Sequence, residues 1–263
     1  MTPKTKPASL KIDTFIGDLH KSANTAKAYR YSLIMFEQFL EGRAPNEDEA
    51  RAFIRHLVEN RELASATVAR HGYALRHFFK WRREPIFLEI PTLQRKLKPW
   101  MEMDDILKLV GVARDPFEKA LIMVLFDTAI RISELRGLKK KDIDWEKGFI
   151  FIHRKGGRET WSPIGATALE ALKKYDKWRT GNNFLFPFSY DYLRKEIIEI
   201  GKRAGMNYLR FHDFRHSRAS TLRESDIPIE DIQALLGHAN ISTTLIYAQI
   251  KPQKLKERIP EAF

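Results

Sequence analysis

Residues 128–135 read Thr-Ala-Ile-Arg-Ile-Ser-Glu-Leu, and residues 212–216 read His-Asp-Phe-Arg-His. The apolar run Phe117 to Thr128 stops just short of Arg131, so its guanidinium is expected where one buried helix ends and the next begins. His212, Arg215 and His216 stand three and four residues apart, which places them on one face of a helix over about 212–223. Two guanidiniums can hold the non-bridging oxygens of a phosphodiester with forked, charge-assisted hydrogen bonds, and Arg131 and Arg215 fit that role. Working outward, Lys155 precedes Gly156 and Gly157, His238 closes Leu-Leu-Gly-His at 235–238, and Tyr247 closes Thr-Thr-Leu-Ile-Tyr at 243–247. A phenol with a pKa of about 10 attacks only when a neighbour takes its proton, and the departing alkoxide needs one delivered. The two histidines His212 and His238, with Lys155, supply both transfers. Together these are the parts of a phosphoryl-transfer site that uses no metal. His212 and His216 also have a spacing found in metal sites, but no Glu follows His212 directly and the chain has no Cys.

The elements around these residues follow from periodicity. Gly148 to His153 and Glu159 to Ile164 read as two short strands joined by residues 154–158, with glycines suited to the positive φ of a tight hairpin, so Lys155 rides on the tip. Helices are expected over Asp104 to Val112, around Leu169 and Leu172, around Leu193, Ile197 and Ile200, and from Pro228 to a terminator at Gly237. Ser242 or Thr243 caps a helix bearing Tyr247. Beyond Lys251-Pro252, the stripe Leu255, Ile259 and Phe263 marks a terminal helix too short to stand alone. On the N-terminal side, apolar sets at Tyr29, Leu33, Phe36 and Leu40, at Phe53, Ile54, Leu57 and Val58, and at Val68, Leu75, Phe78 and Phe79 give a helical bundle. Pro85, Pro91 and Pro99 break the periodicity. The division is therefore an N-terminal domain over 1–84, a linker over 85–100, and a C-terminal domain over 101–263.

The chain has 263 residues with 46 Lys and Arg against 34 Asp and Glu, a formal net charge of +12. Such an excess favours polyanions through counterion release, a property shared by nucleic-acid, ribosome-associated and membrane-surface proteins. Lys21, Lys27, Arg30, Arg70, Arg76, Lys80, Arg82 and Arg83 flank the N-terminal helices and are candidates for tracking phosphates. The absence of Cys excludes a disulfide scaffold and Cys-ligated zinc. Without a signal peptide or a long apolar run, the expectation is a soluble cytoplasmic protein with no membrane association.

Four segments resemble the tyrosine recombinase (phage integrase) family. Residues 128–135 resemble its T-G-[LM]-R-[IV]-S-E-[LI], residues 212–216 its H-x-L-R-H, residues 235–238 its L-L-G-H and residues 243–247 its T-x-x-x-Y. Lys155 sits where the family carries a hairpin lysine, and Ser22 to Leu40 resembles the opening helix of its core-binding domain. The departures are Ala129-Ile130 for Gly-Leu and Phe214 for Leu, which leave the polar roles filled. The resemblance implies a mainly α (α+β) fold, with an N-terminal helical core-binding bundle and a mostly helical catalytic domain carrying a small antiparallel sheet. It implies that Tyr247 attacks a DNA phosphate to form a 3′-phosphotyrosyl link, that Arg131, Arg215 and His238 stabilise the transition state, and that His212 is acid/base. Lys155 then protonates the leaving 5′-oxygen and Glu134 orients Arg131. No cofactor is implied. The partners are double-stranded DNA with a specific site and further copies of the chain, four on two sites, with the tail from Gln253 to Phe263 docked on a neighbour. The compact plan is most similar to Xer-type recombinases, for chromosome-dimer resolution near the nucleoid or for plasmid or viral integration. A type IB topoisomerase shares the catalytic set, and a non-catalytic DNA-binding relative is a second alternative.

Overall fold

The computed structural model describes residues 10–91, 100–154, 157–181 and 183–237. The chain divides into two compact units, Met1–Leu97 and Lys98–Phe263.

The first unit is a helical bundle of α1 (Ile12–Asp18), α2 (Ala23–Leu40), α3 (Glu47–Glu59) and α4 (Ser65–Trp81). The Ser22 hydroxyl accepts the Thr25 N–H at 3.3 Å to start α2, and the Asn46 side chain accepts the Glu49 N–H at 2.8 Å to start α3. Each such cap is worth about 1 kcal/mol. α1 was not among the expected helices, and at about two turns it cannot persist unsupported. Its Phe15 is buried and meets Phe78 edge to face at 5.5 Å, while Trp81 Nε1 donates to Asp18 at 2.9 Å. The expected core residues Leu33, Phe36, Leu40, Phe53, Leu57, Val68, Leu75, Phe78 and Phe79 are all buried. Val58 is 46% exposed, because the buried stripe of α3 runs through Ala50, Phe53, Ile54 and Leu57 and leaves the next position outside it. The segment after Glu84 breaks helical periodicity and still packs: Leu88 is buried in this core, the Arg76 guanidinium donates to the Leu88 carbonyl, and Arg51 Nε reaches the Phe87 carbonyl at 3.4 Å. Proline there ends a helix without ending the compact unit.

The second unit is built on α6 (Pro116–Asp127), which follows α5 (Met103–Gly111). Asp115 caps α6 by accepting the Glu118 N–H at 2.8 Å, and Pro116 occupies the first turn, where its missing N–H costs nothing. Phe117, Ala120, Leu121, Ile122, Val124, Leu125 and Phe126 are buried, so α6 is apolar on nearly every face and is surrounded by α5, α8 (Ala166–Trp178) and α10 (Phe211–Glu224). The remaining helices are α7 (Ile132–Gly137), α9 (Tyr190–Arg203) and α11 (Ile229–Leu236). A three-stranded antiparallel sheet, β1 (Ile143–Asp144), β2 (Phe149–Arg154) and β3 (Arg158–Pro163), lies in that order. The β2–β3 register runs from Phe149↔Pro163 to Arg154↔Arg158, so Arg154 and Arg158 belong to the strands and not to the connection over 154–158 read from sequence. Along β2, Ile150, Ile152 and Arg154 form the buried row. Mostly helical units with one small antiparallel sheet are the fold class expected from sequence. No helix among the described residues is long and apolar enough to cross a membrane.

Candidate phosphoryl-transfer site

The turn after α6 positions the first arginine. The Thr128 hydroxyl donates to the Val124 carbonyl at 2.7 Å and accepts the Ile130 N–H at 3.3 Å, which closes the chain on itself. Ala129 then adopts φ 50°, a left-handed conformation that costs a residue with a Cβ about 1–2 kcal/mol. Glycine in the family pattern avoids that cost, which gives the Ala129 departure a physical meaning. Arg131 occupies the N-cap of α7, where its own N–H donates to Glu134 Oε2 at 3.0 Å and its Nη1 to Oε1 at 2.8 Å. Glu134 is 5% exposed at its side chain and Arg131 32%, so a buried carboxylate fixes a guanidinium that still reaches solvent.

The second arginine comes from α10. Asp213 accepts the Arg210 N–H at 2.8 Å and closes the start of that helix. One turn on, Arg215 is buried, with Nη1 donating to the Ala129 carbonyl at 2.6 Å and Nη2 to the Leu236 carbonyl. Ala129, Ala219, Ile232 and Leu236 form a small apolar cluster that fastens α11 to α10 and to the turn before Arg131. His212 lies at the start of α10 and remains exposed. Its pKa is held below the ordinary 6.5, first by desolvation and then by the positive charges of Arg215 and Arg131. His216 instead meets Trp100 edge to face at 6.3 Å. Among the described residues, no three His, Cys, Asp or Glu side chains gather closely enough to hold a metal ion.

Sequence reasoning placed Arg154 in the hairpin loop and gave it no role. The structure makes it the last residue of β2 and buries its side chain to 4% exposure. Its Nη1 donates to the Leu236 carbonyl at 2.8 Å, its Nη2 to the Leu235 carbonyl at 2.7 Å, and Nη1 lies 3.8 Å from Glu134 Oε2. Leu236 thus accepts from Arg154 and Arg215, while Glu134 serves Arg131 and Arg154. The signal was present in the period of two: position 154 continues the inward row of Ile150 and Ile152. Gly237 ends α11 at φ 58°, as its terminator role required, and a Cβ there would meet the Arg154 side chain at 2.5 Å.

Lys155, His238 and Tyr247 lie outside the described residues, as does the tail after Gly237. Lys155 follows Arg154 in the chain and His238 follows Gly237. Of the basic candidates in the first unit, Lys21, Lys27, Arg70, Arg76, Lys80 and Arg83 are exposed. Lys21 and Lys80 both add to the burial that lowers the His77 pKa, which marks one concentrated positive patch. Three of the eight have partners within the unit: Arg30 pairs with Asp13, Arg82 pairs with Glu84 at 3.0 Å, and Arg76, though exposed, donates to Leu88. The second unit therefore brings together two guanidiniums and a neutral-leaning imidazole. That set can grip a phosphate and exchange a proton beside it.

Comparison with known proteins places this geometry. Residues 12–84 match the phage integrase N-terminal SAM-like domain. Tyrosine recombinase XerA of Pyrococcus horikoshii is 32% identical over 260 residues, 92% of this chain and 88% of that protein. Tyrosine recombinase XerD of Listeria monocytogenes serotype 4b is 30% identical over 270 residues, 90% of this chain and 91% of that protein. The crystal structure of XerH site-specific recombinase bound to difH substrate superposes with a TM-score of 0.74 at 22% identity, covering 97% of this chain and 84% of that one, which shows a shared fold. Residues 99–254 match the phage integrase family, and with more than half the chain covered and the arginines of its motifs gathered in one unit, the chain belongs to that family, the tyrosine recombinases.

Proposed function

We propose that this protein is a site-specific DNA recombinase that cuts and rejoins strands through a 3′-phosphotyrosyl intermediate. The observation that carries this reading is the pair Arg131 and Arg215, both fixed by the fold. Glu134 orients the first, and the uncharged carbonyls of Ala129 and Leu236 hold the second. Their positive field, which depresses the His212 pKa, is the field that attracts a phosphodiester.

In the reaction, the Tyr247 phenolate oxygen bonds to phosphorus and the bond to the 5′-oxygen breaks. His212, neutral near pH 7 because its pKa is lowered, takes the phenolic proton, and Lys155 gives one to the leaving 5′-oxygen. Arg131, Arg215 and His238 bear the charge that develops on the non-bridging oxygens. The phosphotyrosyl ester keeps the bond energy, so a 5′-hydroxyl from a partner duplex reverses the step without a nucleotide cofactor. The exposed basic residues of the first unit hold the DNA backbone, and four copies on two sites exchange strands in the cytoplasm, at the nucleoid. Resolution of chromosome dimers and integration or excision of a plasmid or virus are both strand exchanges of this chemistry.

The test is trapping on a nicked suicide substrate in EDTA. The wild-type protein gives a covalent adduct at a 3′ end, and Tyr247→Phe gives none while binding DNA as before, because only the nucleophilic oxygen is lost. An adduct that survives in the variant points to another nucleophile. Relaxation of supercoils with no recombinant product assigns the chain to type IB topoisomerase chemistry instead.

A further inference from the structure

We infer that Arg154 is a positioning residue for the cleavage step, a brace that fixes the base of the Lys155 loop against the end of α11. This rests on the proposed role of Lys155 as proton donor. Three observations carry it. First, the Arg154 side chain is 4% exposed and so does not lie on the surface where a backbone phosphate would reach it. Second, both terminal nitrogens are committed to the last carbonyls of α11, at 2.8 Å to Leu236 and 2.7 Å to Leu235. Those carbonyls close the last turn of the helix and carry its negative dipole end, so a buried cation there is favourably placed to donate to them. Third, the fit is close on the far side: Gly237 has room for no Cβ, since one would lie 2.5 Å from Arg154 Cδ, Nε and Cζ.

The consequence comes from chain connectivity. Arg154 pairs across the hairpin with Arg158, and three residues separate them in the chain. Lys155 is the first of those three. The carbonyls that hold Arg154 belong to the two residues just before Gly237 and His238. One guanidinium therefore ties the strand that leads into the candidate acid to the helix that leads into a candidate phosphate ligand. It also reaches Glu134, at 3.8 Å, which orients Arg131, and shares the Leu236 carbonyl with Arg215. Without the brace, the strand end that leads into Lys155 loses its tie to α11, and the position from which the proton donor starts is no longer fixed. A misplacement of about 1 Å costs on the order of 100-fold in rate.

The experiment compares single-turnover cleavage on normal DNA and on DNA with a 5′-bridging phosphorothiolate, whose leaving group needs no proton. Arg154→Met keeps the bulk of the stem and removes the brace; Arg154→Lys keeps the charge and can hold one carbonyl. The expected result for Arg154→Met is unchanged DNA affinity, a loss of about 10- to 100-fold on normal DNA, and recovery of most of that loss on the phosphorothiolate. Arg154→Lys should fall between it and wild type with the same selectivity. Equal impairment on both substrates, or none on either, overturns the inference. If neither variant folds, as read by circular dichroism and melting, Arg154 is structural only and the inference also fails. Lys155→Ala is the separate control: if it is impaired equally on both substrates, the lysine is no proton donor and the underlying reading is what fails.

Discussion

Gly237→Ala isolates the contact between the end of α11 and Arg154, and its cost can be worked from the structure. At φ 58°, any Cβ carries the left-handed penalty of about 1–2 kcal/mol. The added methyl also overlaps the Arg154 side chain at 2.5 Å, so the guanidinium must move. Moving it gives up hydrogen bonds of a charged donor to Leu235 and Leu236, each worth roughly 1.5–3 kcal/mol in such settings. Leu236 still accepts from Arg215, which limits the loss chiefly to Leu235. The sum is about 2.5–5 kcal/mol. In an Arg154→Ala background the overlap is gone and only the left-handed penalty remains, so the same substitution should cost about 1–2 kcal/mol. A double-mutant cycle by urea unfolding of the full chain should therefore return a coupling of about 2 kcal/mol, well above the ~0.5 kcal/mol within which independent sites add. Equal costs in the two backgrounds would mean that Arg154 does not occupy the space beside Gly237.

Glu134→Gln keeps the shape of the residue and removes the charge that faces Arg131 and Arg154. With Arg131 about one-third exposed at 32%, solvent screens part of the loss, and the expected destabilisation is about 1–2 kcal/mol. Cleavage should slow much more than binding weakens; a variant that cleaves normally would remove Glu134 from the orienting role. His212 titration by NMR in the DNA-free protein should have its midpoint below 6.5, and Arg131→Gln should move it upward, because removing a neighbouring positive charge lowers the penalty on the imidazolium. The stability linked to this group follows the same sign: a depressed folded pKa gives a contribution present above the unfolded value of 6.5 and lost as pH falls through the folded value. A midpoint at or above 6.5 would contradict the positive field assigned to the site.

The fold was legible where one period dominates. In α2 and α4 the buried residues Leu33, Phe36, Leu40, Val68, Leu75, Phe78 and Phe79 repeat at helical spacing, and in β2 the alternation survives even the change from isoleucine to arginine at position 154. The short helix α1 was missed because it owes its existence to Phe15 entering a core made by other helices, which no local pattern records. The linker over 85–100 is read from prolines that abolish periodicity, and within it Leu88 packs without belonging to any helix or strand. In the site, Arg131 and Arg215 could be named from motif spacing alone. Their anchors could not: Ala129, Leu235 and Leu236 act through carbonyl oxygens, which every residue carries, so side-chain identity says nothing about them.

The charge arrangement explains why an arginine in the buried row is tolerated and useful. Among the described residues, the Glu134 carboxylate faces the guanidiniums of Arg131 and Arg154, and the two carbonyls at the end of α11 accept from Arg154 and Arg215. Burying a cation without compensation is costly, so a design that kept only Arg131 and Arg215 could satisfy itself with Glu134 and water. Arg154 adds a charge and at the same time fills acceptors that the helix end leaves open. The Glu134 carboxylate and the negative end of the α11 dipole each offset part of this positive charge. A phosphodiester entering beside Arg131 and Arg215 brings negative charge that both guanidiniums can bind. Desolvation first, and then the same two guanidiniums, hold the His212 pKa below its ordinary value, so the charges that attract the phosphate also favour an imidazole able to accept a proton beside it.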